Sequence, residues 1–233
     1  MAIFVRNFER PEREMVESYA GIGVATVYES LGKDTNGVMN SEIKSVQPST
    51  KLLGPALTVE CVPADNITLH FAMTVAKKGD VLIVNGGSAT RAMIGELMCT
   101  QCKVSGLAGI VIDGAVRDVE DVRKMNFPCF TRSISPMGPS SKSSFGSINV
   151  PIQCGGIVVS PGDLVIGDDD GVVVVPRNMT KAVLERARQR LEKEAKTREA
   201  LLKGSTTVEL NDYGKLLQSM GVKQVDGLNE VAQ

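Results

Sequence analysis

The sequence predicts an α/β fold with mixed sheets and a long C-terminal helix. Three observations carry that prediction. Apolar runs at 81–84 and 109–113 flank a helical segment over 95–104, and strand, helix, strand with short links implies a parallel pair. Beyond residue 144, short strands near 145–149, 151–154, 157–159, 163–167 and 171–175 alternate with turn signals, an antiparallel pattern. Residues 179–202 read as one charged helix, stopped by Gly204.

In chain order, residues 11–19 and 23–32 read as short helices. In the second, Val24, Val27, Tyr28 and Leu31 fall at helical spacing and Gly32 ends the run. Residues 36–51 are polar and turn-rich. A strand over 56–62 is broken by Pro63-Ala64-Asp65-Asn66, and a helix follows over 67–76. Lys78-Gly79-Asp80 is a turn, and 85–89 is a loop of small residues. A helix over 119–125, a strand over 129–132 and a Pro/Ser/Gly loop over 135–144 complete the first half. Gly155-Gly156, Pro161-Gly162-Asp163 and Asp168-Asp169-Asp170-Gly171 punctuate the second.

The helix at 179–202 would be about 36 Å long at 1.5 Å per residue. Its exposed face mixes Glu192, Lys193, Glu194, Lys196, Arg198 and Glu199, so i,i+4 pairs support it. Such a length reads as an arm packed on a neighbouring subunit; an ordinary surface helix is the alternative. The chain then divides into an α/β domain over 1–177 and a helical arm and tail over 178–233, with one short helical patch near 213–220.

Composition excludes several function classes. A net charge of −1 gives no field for nucleic acid or an acidic membrane. Trp is absent and aromatics make up 4 %, which argues against base-stacking platforms. No apolar run is long enough to cross a membrane. The opening MAIFVRNFERPEREM is charged too early for a secretory signal, and the five cysteines are an odd number. Both point to reduced thiols and a cytoplasmic protein. His70 is the single histidine, so no site needing two histidines fits within one chain.

The candidate chemistry lies between Gly95 and Asp118. Gly95-Glu96-Leu97-Met98 sits where a loop becomes a helix, and the first amides of a helix can hold an anion. The plainer reading is a helix start with Glu96 favourable to the macrodipole. Arg117-Asp118 follows a buried strand, where α/β folds place ligands. An arginine there can clamp a carboxylate, and an aspartate can hold a hard divalent ion. Equally, the two can form an ion pair with Asp118 as N-cap of the next helix.

Other motifs read as structure. Cys99-Thr100-Gln101-Cys102 lies too far along its helix for a redox pair. Asp168 to Gly171 reads as a hairpin turn, and Asn85-Gly86-Gly87-Ser88 lacks the ending of a P-loop. His70, within a helical run, reads as a packed or capped histidine.

Twenty residues separate Glu96 from Arg117-Asp118. This spacing resembles the Asp/Glu-x20-Arg-Asp signature of the metal-dependent 4-hydroxy-4-methyl-2-oxoglutarate / 4-carboxy-4-hydroxy-2-oxoadipate aldolases. That family is related to the regulator of ribonuclease activity A. The likeness extends over GIVIDGAVRDVED, MNFPCF, FGSINVPI, SPGDLVIGDDDGVVVVP and the helix after residue 178. It implies a swivelling β/β/α-type domain, assembled as a trimer or hexamer with active sites between subunits. It implies that Asp118 ligates Mg²⁺ or Mn²⁺ directly and Glu96 through water. Arg117 would bind the keto oxygen, and the amides after Gly95, those of Leu97 and Met98, the pyruvate carboxylate. Asn66 would line the pocket, and Glu194 would enter from the neighbour's long helix. Many relatives carry Asp where this chain has Glu96, and the extra methylene would shift the bridging water.

The activity so implied is class II cleavage of 4-hydroxy-2-oxo acids to pyruvate, with oxaloacetate decarboxylation beside it and a place in aromatic-acid breakdown such as protocatechuate degradation. The competing reading is a non-catalytic regulator that binds a ribonuclease. A third, a menaquinone methyltransferase, would need a nucleotide-binding glycine loop after the first strand, and the sequence offers none in a suitable place.

Overall fold

A computed structural model describes residues 1–32, 35–87, 89–140 and 142–227. Ser88 and Ser141, in two of the expected loops, lie outside the described residues. The chain opens with α1 (Arg13–Glu17), α2 (Val24–Leu31), β1 (Lys44–Ser45) and β2 (Leu52–Glu60). Then come α3 (Ile67–Ala72), β3 (Val81–Asn85), β4 (Ala92–Ile94), α4 (Glu96–Val104), β5 (Gly109–Val116), α5 (Val119–Lys124) and β6 (Cys129–Ile134). The second half carries β7 (Ser147–Ile148), β8 (Ile152–Cys154), β9 (Ile157–Val159), β10 (Leu164–Asp168) and β11 (Gly171–Val175). After a single 3-10 turn, α6 (Thr180–Leu202), α7 (Thr207–Leu210) and α8 (Tyr213–Ser219) follow.

Among the described residues nine strands form one mixed sheet, in the order β1-β6-β5-β3-β2-β10-β11, with β4 beside β5 and β7 beside β2. The neighbours β2, β3, β5 and β6 run parallel, as the helical links between them require. The short strands of the second half pair antiparallel, but they do not form a separate layer. β10 joins β2 antiparallel, which extends β2 back to Leu52, earlier than the apolar run suggests. Val38 bridges to Val173 of β11, and Lys44 Nζ donates to the Asp170 carbonyl at 2.5 Å, so the sheet is nearly closed.

The two-residue period of the strands sorts the core. Leu82 and Val84 of β3 pack with Leu57, Val59, Ile110 and Ile112 under α3, α4 and α5. Val81 and Ile83 face the opposite way, against Val111, Phe130, Val165, Val172 and the β8–β9 hairpin. The outer faces of β10 and β11 meet Val24, Val27 and Leu31 of α2 together with Val183 and Leu184 of α6. Each such buried side chain contributes about 1.5–3 kcal/mol.

The chain divides into two compact units, Met1–Ala187 and Arg188–Gln233. The first turns of α6 are buried within the first unit through Val183, Leu184 and Ala187. No described residue of the second unit is buried; α7 starts with a capping box between Thr206 and Glu209. No helix among the described residues is long and apolar enough to cross a membrane.

Candidate active site

The site is built at the C-terminal end of β5. Between Ile112 and Ala115 the β5–β6 register slips, and β4 pairs alongside the end of β5. The Arg117 amide donates to the Ile94 carbonyl at 3.1 Å, which sets Arg117-Asp118 directly against the start of α4.

Asp118 then adopts the left-handed conformation, φ 56° and ψ 35°, at the N-cap of α5. Its side chain makes no cap bond to α5. Its Oδ2 instead accepts the Glu96 amide at 3.2 Å and lies 3.4 Å from Arg117 Nε. A Cβ at Gly95 would lie 2.3 Å from that oxygen and 3.0 Å from Arg117 Cγ, so only glycine fits between them. Asp118 Oδ1 carries no hydrogen bond among the described residues, and the side chain is 43 % exposed.

A pocket of about 260 Å³ opens here, lined by Asn66, His70, Met93, Gly95, Leu97, Met98, Arg117, Asp118, Pro139 and Lys142 among others. The first helical bond of α4 runs from the Cys99 amide to the Gly95 carbonyl at 3.1 Å. The Leu97 and Met98 amides before it have no acceptor among the described residues, which leaves them for an anion. Asn66 Nδ2 donates to the Met93 carbonyl at 2.9 Å, which fixes the amide. Among the described residues its Oδ1 is buried without a partner, an acceptor open to a donor from a ligand.

The Arg117 guanidinium is flanked by the 137–139 loop: a Cβ at Gly138 would meet Nη1 at 2.9 Å. Arg91 Nη1 in turn donates to the Gly138 carbonyl at 2.9 Å. The site therefore gathers Gly95, Leu97, Met98, Asn66, Arg117 and Asp118. Glu96 stands at its edge; its carboxylate accepts from Thr100 Oγ1 at 2.7 Å, one turn along α4. Glu194 belongs to the second unit, where it pairs with Arg190 at 2.8 Å.

Sequence reasoning missed the two titratable residues His70 and Lys142 of the pocket. His70 is not simply packed in its helix: it lines the pocket, with Nε2 buried and without a partner among the described residues. Burial, and then the Lys142 ammonium, lower its pKa below the ordinary 6.5. Its signal was present, because it lies four residues after Asn66 on the same helical face. Lys142 comes from the 135–144 loop, which has no periodicity to read.

The cysteine pair and the Asp168–Gly171 run are structural, as the sequence suggests. Cys99 and Cys102 are fully buried free thiols. Cys99 is held protonated first by its contact with Cys129, and burial pushes Cys102 up to about 12. Asp168 to Gly171 is the β10–β11 turn, with Asp168 accepting the Val24 amide at 3.1 Å. A larger cleft of about 550 Å³ lies beside Arg10, but that guanidinium already forks buried Asp80, with both bonds at 2.7 Å.

Among the described residues no three His, Cys, Asp or Glu side chains cluster to hold a metal ion. One free, partly exposed carboxylate oxygen still suits a hard divalent ion that keeps most of its shell as water or substrate oxygens.

Comparison with known proteins agrees with this architecture. The chain is 37 % identical over 180 residues to a protein of Halalkalibacterium halodurans named "Putative 4-hydroxy-4-methyl-2-oxoglutarate aldolase", covering 77 % of this chain and 84 % of that one. The crystal structure of Streptomyces coelicolor RraAS2, described as an unusual member of the RNase ES inhibitor RraA protein family, matches with a TM-score of 0.76. It is 32 % identical and covers 82 % of this chain and 99 % of that one. An uncharacterized protein from Pseudomonas syringae also matches with a TM-score of 0.76, at 27 % identity over 85 % of this chain and 97 % of that one. The model of the RraA-like family, described as Aldolase/RraA, matches residues 24–174, and with that span, well over half its length, the chain belongs to this family.

Proposed function

We propose that the protein is a divalent-metal-dependent pyruvate aldolase. Its substrates are 4-hydroxy-2-oxo acids such as 4-carboxy-4-hydroxy-2-oxoadipate and 4-hydroxy-4-methyl-2-oxoglutarate, and its products pyruvate plus oxaloacetate or pyruvate. One observation carries the reading: a free amide pair, a guanidinium and an open carboxylate oxygen meet in one pocket around Gly95. The names of the relatives support it.

Asp118 would hold Mg²⁺ or Mn²⁺ directly, with Glu96 reaching it through water. Such an ion, when bound, supplies Lewis-acid stabilisation of negative charge on an oxo acid. The chain's own groups do the rest. The Leu97 and Met98 amides hold the C1 carboxylate. Arg117 places fixed positive charge at the C2 oxygen. As the C3–C4 bond breaks, its electron pair enters the pyruvate enolate, a water in the site takes the 4-hydroxyl proton and C4 becomes a carbonyl. Arg117 stabilises that enolate until C3 is protonated. Oxaloacetate passes through the same enolate and should lose CO₂ here. In a trimer or hexamer, Glu194 from a neighbouring copy would complete the pocket. No lysine Schiff base takes part.

The test is pyruvate release from these two substrates and from oxaloacetate, with and without EDTA. Chelation should abolish turnover and Mg²⁺ or Mn²⁺ restore it, and borohydride with pyruvate should leave the enzyme active. Equal turnover in EDTA, or a trapped lysine adduct, overturns the mechanism. Similarity to RraAS2 favours a second reading, a non-catalytic regulator that binds a ribonuclease. It predicts no turnover, and no loss of ribonuclease binding in Arg117→Ala.

A further inference from the structure

Asp65 is 1 % exposed and lies outside the chemistry described above. Its Oδ1 accepts the Ile67 amide at 2.9 Å, at the start of α3. Its Oδ2 accepts two amides of a distant loop, Ser143 at 2.7 Å and Ser144 at 2.8 Å. The same two segments are joined again on either side. The Ser140 amide donates to the Ala64 carbonyl at 2.9 Å, and the Gly146 amide to Thr68 Oγ1 at 2.8 Å. Ala64 pays for this with a left-handed turn, φ 64°.

Each joined segment lines the pocket. The α3 side supplies Asn66 and His70, the loop supplies Pro139 and Lys142. Lys142 directly precedes Ser143, and its ammonium has no carboxylate within 4.0 Å among the described residues. A cation left unpaired in a pocket that already has amides and a guanidinium for one carboxylate is placed for a second anion. Charge-assisted amide bonds to a buried carboxylate are strong enough to hold a loop that has no strand or helix of its own.

We propose that Asp65 is a positioning residue, which ties the Lys142 loop to α3 so that Lys142 recognises a second carboxylate on the substrate. This rests on the oxo-acid reading above and gives the second carboxylate of those acids its partner. Asp65 touches no substrate; it acts through Lys142.

The experiment uses the full chain and two reactions that differ in the second carboxylate. One is decarboxylation of oxaloacetate, the other exchange of pyruvate methyl protons with D₂O. Lys142→Met should raise KM for oxaloacetate about 10- to 100-fold and move KM for pyruvate in the exchange reaction far less. Asp65→Asn should move the same parameter, and Asp65→Asn with Lys142→Met should be no worse than Lys142→Met alone. Additive losses, equal losses in both reactions, or an unchanged KM in Lys142→Met overturn the proposal. If Asp65→Asn does not fold, Ser144→Pro removes one amide that the carboxylate holds, and the same comparison decides. Wild-type protein that performs neither reaction refutes the aldolase reading itself, a result distinct from these.

Discussion

Asp118 stands at the start of α5, yet its carboxylate serves α4: Oδ2 accepts the Glu96 amide, 22 residues earlier, at 3.2 Å. That one bond closes the pocket on its tightest side. It joins the strand end that carries Arg117 to the helix start that offers the free amides, with Gly95 filling the gap between them.

Gly95→Ala should therefore be far more harmful to turnover than to folding. The backbone at Gly95 is extended, which any residue adopts, so the fault is steric: the new Cβ lies 2.3 Å from Asp118 Oδ2. Pushing that oxygen aside by about 1 Å should cost on the order of 100-fold in kcat. Steady-state kinetics beside a thermal melt check this; a variant that turns over normally shows that the oxygen's position is not critical.

The lone histidine gives a direct probe of the pocket. Burial and then Lys142 lower the His70 pKa, so its imidazole should titrate below 6.5 and be neutral at pH 7. Because the folded value is depressed, its contribution to stability is present above 6.5 and lost as pH falls through the folded value. In proton NMR its ring signal is unambiguous. Lys142→Met should move the midpoint up only part of the way, since burial is the larger cause. A midpoint unmoved by that change separates the two residues.

Glu60 makes the opposite prediction for pH. Burial raises its carboxyl above the ordinary 4.5, against a hydrogen bond from Asn85 Nδ2 at 2.9 Å that lowers it. Its contribution is full below 4.5 and is lost as pH rises through the folded value. Glu60→Gln keeps an acceptor for Asn85 and removes the titration. Melting temperature followed from about pH 4 to pH 7 should fall less in Glu60→Gln than in the wild type; parallel curves would place the cause elsewhere.

The elements that sequence shows plainly are those whose signal is local. β3, β10 and β11 are apolar runs between turn residues, and α6 is a long charged helix stopped by Gly204. β4 is three residues long, too short for any period, and it appears only because β5 lies beside it. The junction of β10 with β2 joins residues more than a hundred positions apart, and pairing at that distance leaves no mark in either strand's pattern. The site divides in the same way. The Glu96 to Arg117-Asp118 spacing was visible, and so was a helix start able to hold an anion. Lys142 was not, because its place is set by amides bound to Asp65 rather than by its own neighbours.

Arg117 and Asp118 follow directly on β5, where successive side chains would point to opposite sides, yet the two share one cavity. The left-handed backbone at Asp118 is what turns the second side chain round to join the first. Such a backbone disfavours most L-residues and is best tolerated by glycine, asparagine and aspartate. Of these only aspartate brings a negative oxygen, so backbone conformation calls for aspartate here as much as charge does. A glutamate there would keep the charge but strain the turn.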